Sequence, residues 1–247
     1  MDDDPYLHLP QLRGCLTPAA LSTVRVTPQA LAGWDAQASA RGLPPDWRWT
    51  DAQIEASRRA LLGAFNPPQD LWVFGYGSLM WDPGIHFCEV RRAGLAGHAR
   101  RFSYKTVLGR GTPRHPALTL ALEPDAGAGA AGCHGLVFRV PAHSADAESA
   151  MLWRREMVRG GYCPQLLEVA TPQGPVTALA FLANPLHPGH VGTLPLVESA
   201  AIIASAQGPI GRNRDYLCQL DGQLLRLGID DPYIHALWAA VRALAPD

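Results

Sequence analysis

The chain is almost without lysine: of its 21 lysine and arginine residues only Lys105 is a lysine, which we read as coding bias before function. It lacks an excess of either charge, with 21 basic against 22 acidic residues and a net charge of −1. That leaves no electrostatic footprint for a nucleic-acid partner. It lacks any apolar run near the roughly 20 residues that a membrane helix needs, so no membrane partner is expected. Its five cysteines, Cys15, Cys88, Cys133, Cys163 and Cys218, are scattered and form no Cys-x-x-Cys pair. Neither a disulfide framework nor a zinc cage is expected from them. The start, Met1-Asp2-Asp3-Asp4, is acidic where a signal peptide would be basic and then apolar, and no Asn-x-Ser/Thr site occurs. These absences together point to the cytoplasm.

What is present is ordinary globular composition. At 47% hydrophobic and 17% charged over 247 residues, the chain can bury a core and is not mostly disordered. Its 24 glycines and 22 prolines predict frequent turns. Residues 1–48 show scattered proline and glycine without a sustained period and read as an N-terminal extension. The stretch 41–46 reads as a linker. Thr50 and Gln53 then stand at capping-box spacing, with Ile54, Leu61, Leu62 and Phe65 on one helical face and Asn66-Pro67-Pro68 as its stop.

Leu71–Tyr76 is a short apolar run that reads as a buried strand. Further strands are expected around 87–92, 100–107, 117–122, 134–140, 165–171 and 176–182. A helix starts at Ser144, with Asp146 and Glu148 in its first turn, and ends at Gly160-Gly161. The last third carries two helical stripes, Leu217/Leu220/Leu224/Leu227 and Ile234/Leu237/Trp238/Val241/Leu244. Strands in succession with one helix between them predict an α+β domain with a mostly antiparallel sheet or barrel.

Two stretches could carry chemistry. In Phe74-Gly75-Tyr76-Gly77-Ser78-Leu79 two glycines flank a tyrosine at a strand end, where backbone can approach a ligand and successive amides can form an anion nest. A plain tight turn explains the same residues equally well. It is not a dinucleotide fingerprint, because Met80 stands where the third glycine would. It is not a nucleophile elbow either, because Ser78 lacks the flanking glycines of the Gly-x-Ser-x-Gly pattern. In Trp153-Arg154-Arg155-Glu156-Met157, Glu156 is the only acid between Glu148 and Glu168 and lies near a helix C-terminus. In apolar surroundings it could serve as a general base. The competing reading pairs it with Arg155 or Arg159 on a solvated face. His187 and His190 make a poor metal pair among prolines and glycines. Cys163 reads better as a small buried residue than as a nucleophile. Asn213 reads as a helix cap, and Tyr216 as core or pocket lining.

Four stretches, in order, resemble the ChaC family of γ-glutamylcyclotransferases. They are Trp72–Trp81, Gly109-Arg110-Gly111-Thr112, Leu152–Met157 with Gly160-Gly161-Tyr162, and Gly208-Pro209-Ile210-Gly211 with Asn213 and Tyr216-Leu217. The resemblance covers roughly residues 50–245, so that 49–247 is expected to be the catalytic domain. It implies an α+β fold with a small mixed or antiparallel β-barrel and flanking helices. It implies an enzyme of the lyase class that cleaves glutathione into 5-oxoproline and cysteinylglycine without metal or other cofactor. Glu156 matches the family's catalytic glutamate. The resemblance further implies substrate binding by Val73, Phe74, Gly75, Tyr76, Gly77, Ser78 and Leu79, and by Tyr162 and Tyr216. Where the family often shows Pro-Gly-Arg, this chain reads His115-Pro116-Ala117-Leu118. The alternatives are a cyclotransferase for other γ-glutamyl peptides or amines, and a γ-glutamyl-binding module without catalysis.

Overall fold

A computed structural model describes residues 4–40, 42–63, 69–125, 127 and 132–244. In chain order its elements are α1 (Pro28–Ala40), α2 (Asp51–Leu62), β1 (Leu71–Gly75), β2 (Glu89–Leu95), β3 (His98–Thr106), β4 (Ala117–Pro124), β5 (Cys133–Val140), α3 (Ala145–Glu156), β6 (Tyr162–Val169), β7 (Val176–Ala183), α4 (Leu196–Ser205), β8 (Gln207–Gly208), β9 (Gly211–Arg212), α5 (Asn213–Leu227) and α6 (Pro232–Leu244). A short 3-10 helix, Ser78–Met80, follows β1. The chain divides into two compact units, Met1–Ala96 with His134–Leu182, and Gly97–Cys133 with Ala183–Asp247.

In the first unit β1 is a central strand. It pairs antiparallel with β5, Leu71 opposite Val140 and Gly75 opposite Leu136, and parallel with β7, Val73 opposite Leu179. A strand covered on both edges and both faces must be apolar throughout, which is why Leu71–Gly75 reads as a continuous run rather than an alternation. β2 lies beyond β5, and β6 beyond β7. Between β2 and the end of β6 lies an isolated bridge, in which Gly94 and Ala170 exchange hydrogen bonds of 2.9 Å. The mixed α+β class holds, but the expected barrel does not: among the described residues no ladder joins β2 to β6, so the sheet is not closed.

Residues 4–40 and 42–48 belong to this unit as packed structure. Leu9, Leu12, Leu16, Val26 and Leu31 are buried. α1 was not expected from periodicity, because its alanine-rich sequence buries only Leu31 and Ala38. A local signal did exist: the amide of Ala30 donates to Thr27 Oγ1 at 3.2 Å, with Pro28 opening the helix. The capping box of α2 forms as expected, Thr50 and Gln53 each satisfying the other's backbone amide at 2.8 and 3.2 Å. That helix ends at Leu62; Phe65 and the expected stop at 66–68 lie outside the described residues.

The second unit contains the β3–β4 antiparallel pair and the C-terminal helices. The pair shifts register between Phe102 and Tyr104, leaving Ser103 as a buried bulge. Leu217, Leu220, Leu224 and Leu227 of the first stripe and Ile234, Leu237 and Val241 of the second are buried as their spacing predicts, whereas Trp238 is half-buried. Leu244, at the end of its stripe, is exposed. Among the described residues no helix is long and apolar enough to cross a membrane.

Candidate active site

β1 delivers the glycine-rich turn. Val73 and Phe74 are completely buried, so their side chains are core and their backbone is ladder. At Gly75 the chain crosses β5 so closely that a Cβ on Gly135 would stand 2.2 Å from the Gly75 carbonyl oxygen. A Cβ on Gly75 itself would meet Leu79 Cβ at 2.9 Å. Glycine at both positions is what lets the turn fold back over the strand end. Tyr76 is buried and its hydroxyl donates to the Phe181 carbonyl at 2.8 Å. The 3-10 helix begins after Gly77 and is closed by the Met80 amide on the Gly77 carbonyl at 2.8 Å. Ser78 and Leu79 therefore open a helical turn, where amides have no acceptor within the helix. Gly77 and Leu79 are buried, and Ser78 is half-buried.

α3 delivers the carboxylate. Its inner face, Leu152 and Trp153, is fully buried, and Trp153 meets the Phe181 ring edge-on at 5.3 Å. Asp146 and Glu148 do sit in the first turn, but each is used tertiarily, Asp146 by Arg58 and Glu148 by Arg25. The helix ends on Glu156 itself, with Met157 as its cap, rather than at Gly160. Gly160 then adopts a φ of +65°, and a Cβ there would lie 2.4 Å from the Trp49 indole.

The Glu156 side chain is 16% exposed. Burial pushes its carboxyl above the ordinary carboxylate range, and the neighbouring Arg155 charge partly offsets this. Arg155 Nε lies 2.9 Å from Glu156 Oε1. Its Nη2 donates to Ser78 Oγ at 2.8 Å, and Nη1 to the Asp82 carbonyl at 2.7 Å. The competing expectation of a Glu156–Arg155 pair is thus half right. The pair exists, but it is withdrawn from solvent and joins the helix end to the glycine-rich turn. Tyr162, half-buried at the start of β6, lies 6.5 Å from the Phe181 ring. Phe181, which sequence reasoning missed, contacts Tyr76, Trp153 and Tyr162. Its only sequence signal is a place in the apolar β7.

The remaining matched stretches lie in the second unit. A Cβ on Gly208 would stand 2.2 Å from the Gly109 carbonyl oxygen, so the two glycine-bearing loops pack backbone on backbone. Tyr216 is half-buried, edge-on to Phe102 at 6.1 Å and 5.9 Å from the Arg110 guanidinium. Asn213 is not a cap: it is the first helical residue, and Arg212 occupies the cap position. Its buried amide accepts from the Leu118 amide at 2.8 Å and donates to the Leu118 carbonyl at 2.9 Å, completing the edge of β4 as a neighbouring strand would. His190 faces Glu123 at 2.9 Å, and His187 and His190 meet the Tyr104 ring at steep angles, with ring centroids 5.6 and 5.3 Å away. Cys163, expected to be buried, is half-buried as a free thiol.

The fold is that of a γ-glutamylcyclotransferase. A crystal structure of such an enzyme from yeast, titled as specific to glutathione, superimposes with a TM-score of 0.64 over 72% of this chain and 97% of the yeast chain, at 24% identity. The chain belongs to the ChaC family: the family model described as ChaC-like protein matches residues 71–244. It is 34% identical over 197 residues to the glutathione-specific gamma-glutamylcyclotransferase of Escherichia coli (strain K12), covering 79% of this chain and 83% of that protein. It is also 34% identical over 185 residues to glutathione-specific gamma-glutamylcyclotransferase 1 of Mus musculus, covering 72% and 81%.

Proposed function

We propose that this protein is a γ-glutamylcyclotransferase that cleaves glutathione to 5-oxoproline and cysteinylglycine, with Glu156 as general acid and base. The observation that carries the reading is the withdrawn carboxylate of Glu156, tied through Arg155 to Ser78 of the glycine-rich turn. The reaction is an intramolecular acyl transfer. The α-amine of the γ-glutamyl group attacks its own γ-carbonyl, a five-membered lactam closes, and the amide bond to cysteine breaks. The nucleophile comes with the substrate, so the protein has three tasks.

It must fold the substrate into the cyclising conformer, a proximity effect. It must take a proton from the ammonium and deliver one to the departing amine, for which a single carboxylate with a raised pKa suffices. It must stabilise the oxyanion, for which the amides opening the Ser78–Met80 turn are suited. In this reading Tyr76, Gly77, Ser78 and Leu79 hold the γ-glutamyl moiety, and Val73, Phe74 and Gly75 contribute by fixing that turn. Tyr162 and Tyr216 bind substrate; the assignment of Tyr216 rests on its motif alone. We place the reaction in the cytoplasm, with no cofactor.

Incubating purified protein with glutathione and measuring 5-oxoproline, with no metal or nucleotide added, tests the proposal. γ-Glutamyl amino acids run alongside separate a glutathione enzyme from one for other γ-glutamyl compounds. Calorimetric binding of glutathione without turnover would instead identify a binding module.

A further inference from the structure

The guanidinium of Arg155 touches both the carboxylate of Glu156 and the glycine-rich turn of the proposed site. Its side chain is only 10% exposed, and its bonds point in three directions. Nε faces Glu156 Oε1 at 2.9 Å, and Nη2 donates to Ser78 Oγ at 2.8 Å. Nη1 donates to the carbonyls of Asp82 at 2.7 Å and Pro83 at 3.2 Å. The next residue, Gly84, has a φ of +64°, and a Cβ there would press on Nη1 at 3.2 Å. The turn is thus shaped to admit the guanidinium. A planar fork of fixed donors suits this task, whereas an ammonium could not span the same acceptors.

We propose that Arg155 is a positioning residue that locks the Glu156 carboxylate to the Ser78–Pro83 turn, so that the base and the γ-glutamyl-holding turn keep one geometry. The proposal rests on the reading of Glu156 as the base. Arg155 also sets the charge environment of that base. On α3, Glu148 lies two turns back and is occupied by Arg25 and the His86 amide. On the turn, Asp82 presents its carbonyl to Arg155 and buries Oδ1. Arg154 turns away to Met151 Sδ at 3.7 Å. Arg155 is the cation acting on Glu156. Removing it raises the pH at which Glu156 loses its proton, because an opposite charge at this distance favours the ionised form.

The test compares Arg155→Met and Arg155→Lys with the parent, with kcat and KM for glutathione measured across pH and folding checked by thermal melting. Arg155→Met moves the acidic limb of kcat/KM upward by about one pH unit and raises KM about tenfold. Arg155→Lys keeps a charge but loses the fork, so its limb stays near the parent's while KM still rises. A folded Arg155→Met with KM within about threefold and an unmoved limb overturns the proposal, and so does Lys restoring parental KM. Should the Met variant not fold, the KM of the Lys variant decides. Glu156→Gln, run beside them, reports on the base itself. Parental turnover there overturns the reading beneath the proposal. An inactive Glu156→Gln beside a parental Arg155→Met overturns the proposal alone.

Discussion

Arg25 holds Glu148 by both carboxylate oxygens, at 2.5 and 2.7 Å, across 123 residues of sequence. Glu148 is 5% exposed and also accepts the His86 amide at 3.1 Å. The pair ties the segment around Arg25 to the first turn of the helix that ends on Glu156. Further along, the Thr17 amide donates to the Trp81 carbonyl at 2.8 Å, and the Trp49 amide to the Val158 carbonyl at 2.8 Å.

Arg25→Ala therefore leaves a buried carboxylate unpaired. The expected cost is about 3 kcal/mol, the low end for a buried pair because Arg25 keeps 20% exposure. In a chain of this size that lowers Tm by roughly 6–12 °C. Truncation after about Gly42 removes this pair together with five buried leucine and valine side chains. It should reduce stability or solubility more than turnover per folded molecule. Melting curves and kcat of the folded fraction check this; a stable truncated protein with almost no kcat would show instead that the segment builds the site.

Glu156→Gln preserves shape and removes the base. General acid–base contributions are about 10²–10⁴-fold, so kcat should fall at least about a hundredfold while KM changes modestly. Were Glu156 merely one half of an ion pair, turnover would stay within about threefold of the parent.

The same carboxyl has a pH signature in stability. Its folded pKa lies above its ordinary value of 4.5, because burial disfavours the ion. The folded state then holds the proton more tightly than the unfolded one. Any stabilisation from this group is present below about pH 4.5 and is lost as pH rises through the folded pKa. The Tm of Glu156→Gln relative to the parent should improve as pH climbs through that window. A Tm gap that is flat, or that moves the other way, between pH 4 and 8 would contradict the raised pKa.

Asn213→Ala tests the second unit. It strands the Leu118 amide and carbonyl, both bonded to the Asn213 side chain and buried. Each orphaned group costs about 1–3 kcal/mol, so a loss of roughly 2–6 kcal/mol is expected in denaturant titration. A loss below about 0.5 kcal/mol would mean that water replaces the amide.

Local chemistry was legible in the chain. The Thr50–Gln53 box, the inward leucines of α5, the buried run of β1 and the glycines at its end follow from short-range sterics and periodicity, which depend on neighbouring residues alone. Glu156 could be singled out as an isolated acid near a helix end. Its state could not. Whether it faced water with Arg155 or was withdrawn with it depends on where residues 78–84 fold back, more than seventy positions earlier in the chain. The same holds for Phe181, one apolar strand residue among several until packing gathers Tyr76, Trp153 and Tyr162 around it. It holds for Asn213, whose cap-like place in sequence gave no sign of the strand edge it completes. It holds for the N-terminal segment around Arg25, whose attachment runs to a carboxylate 123 positions away. Propensity and periodicity are properties of neighbours along the chain. Burial, ion pairing and the pKa of the carboxylate are properties of neighbours in space, and only the tertiary fold decides which those are.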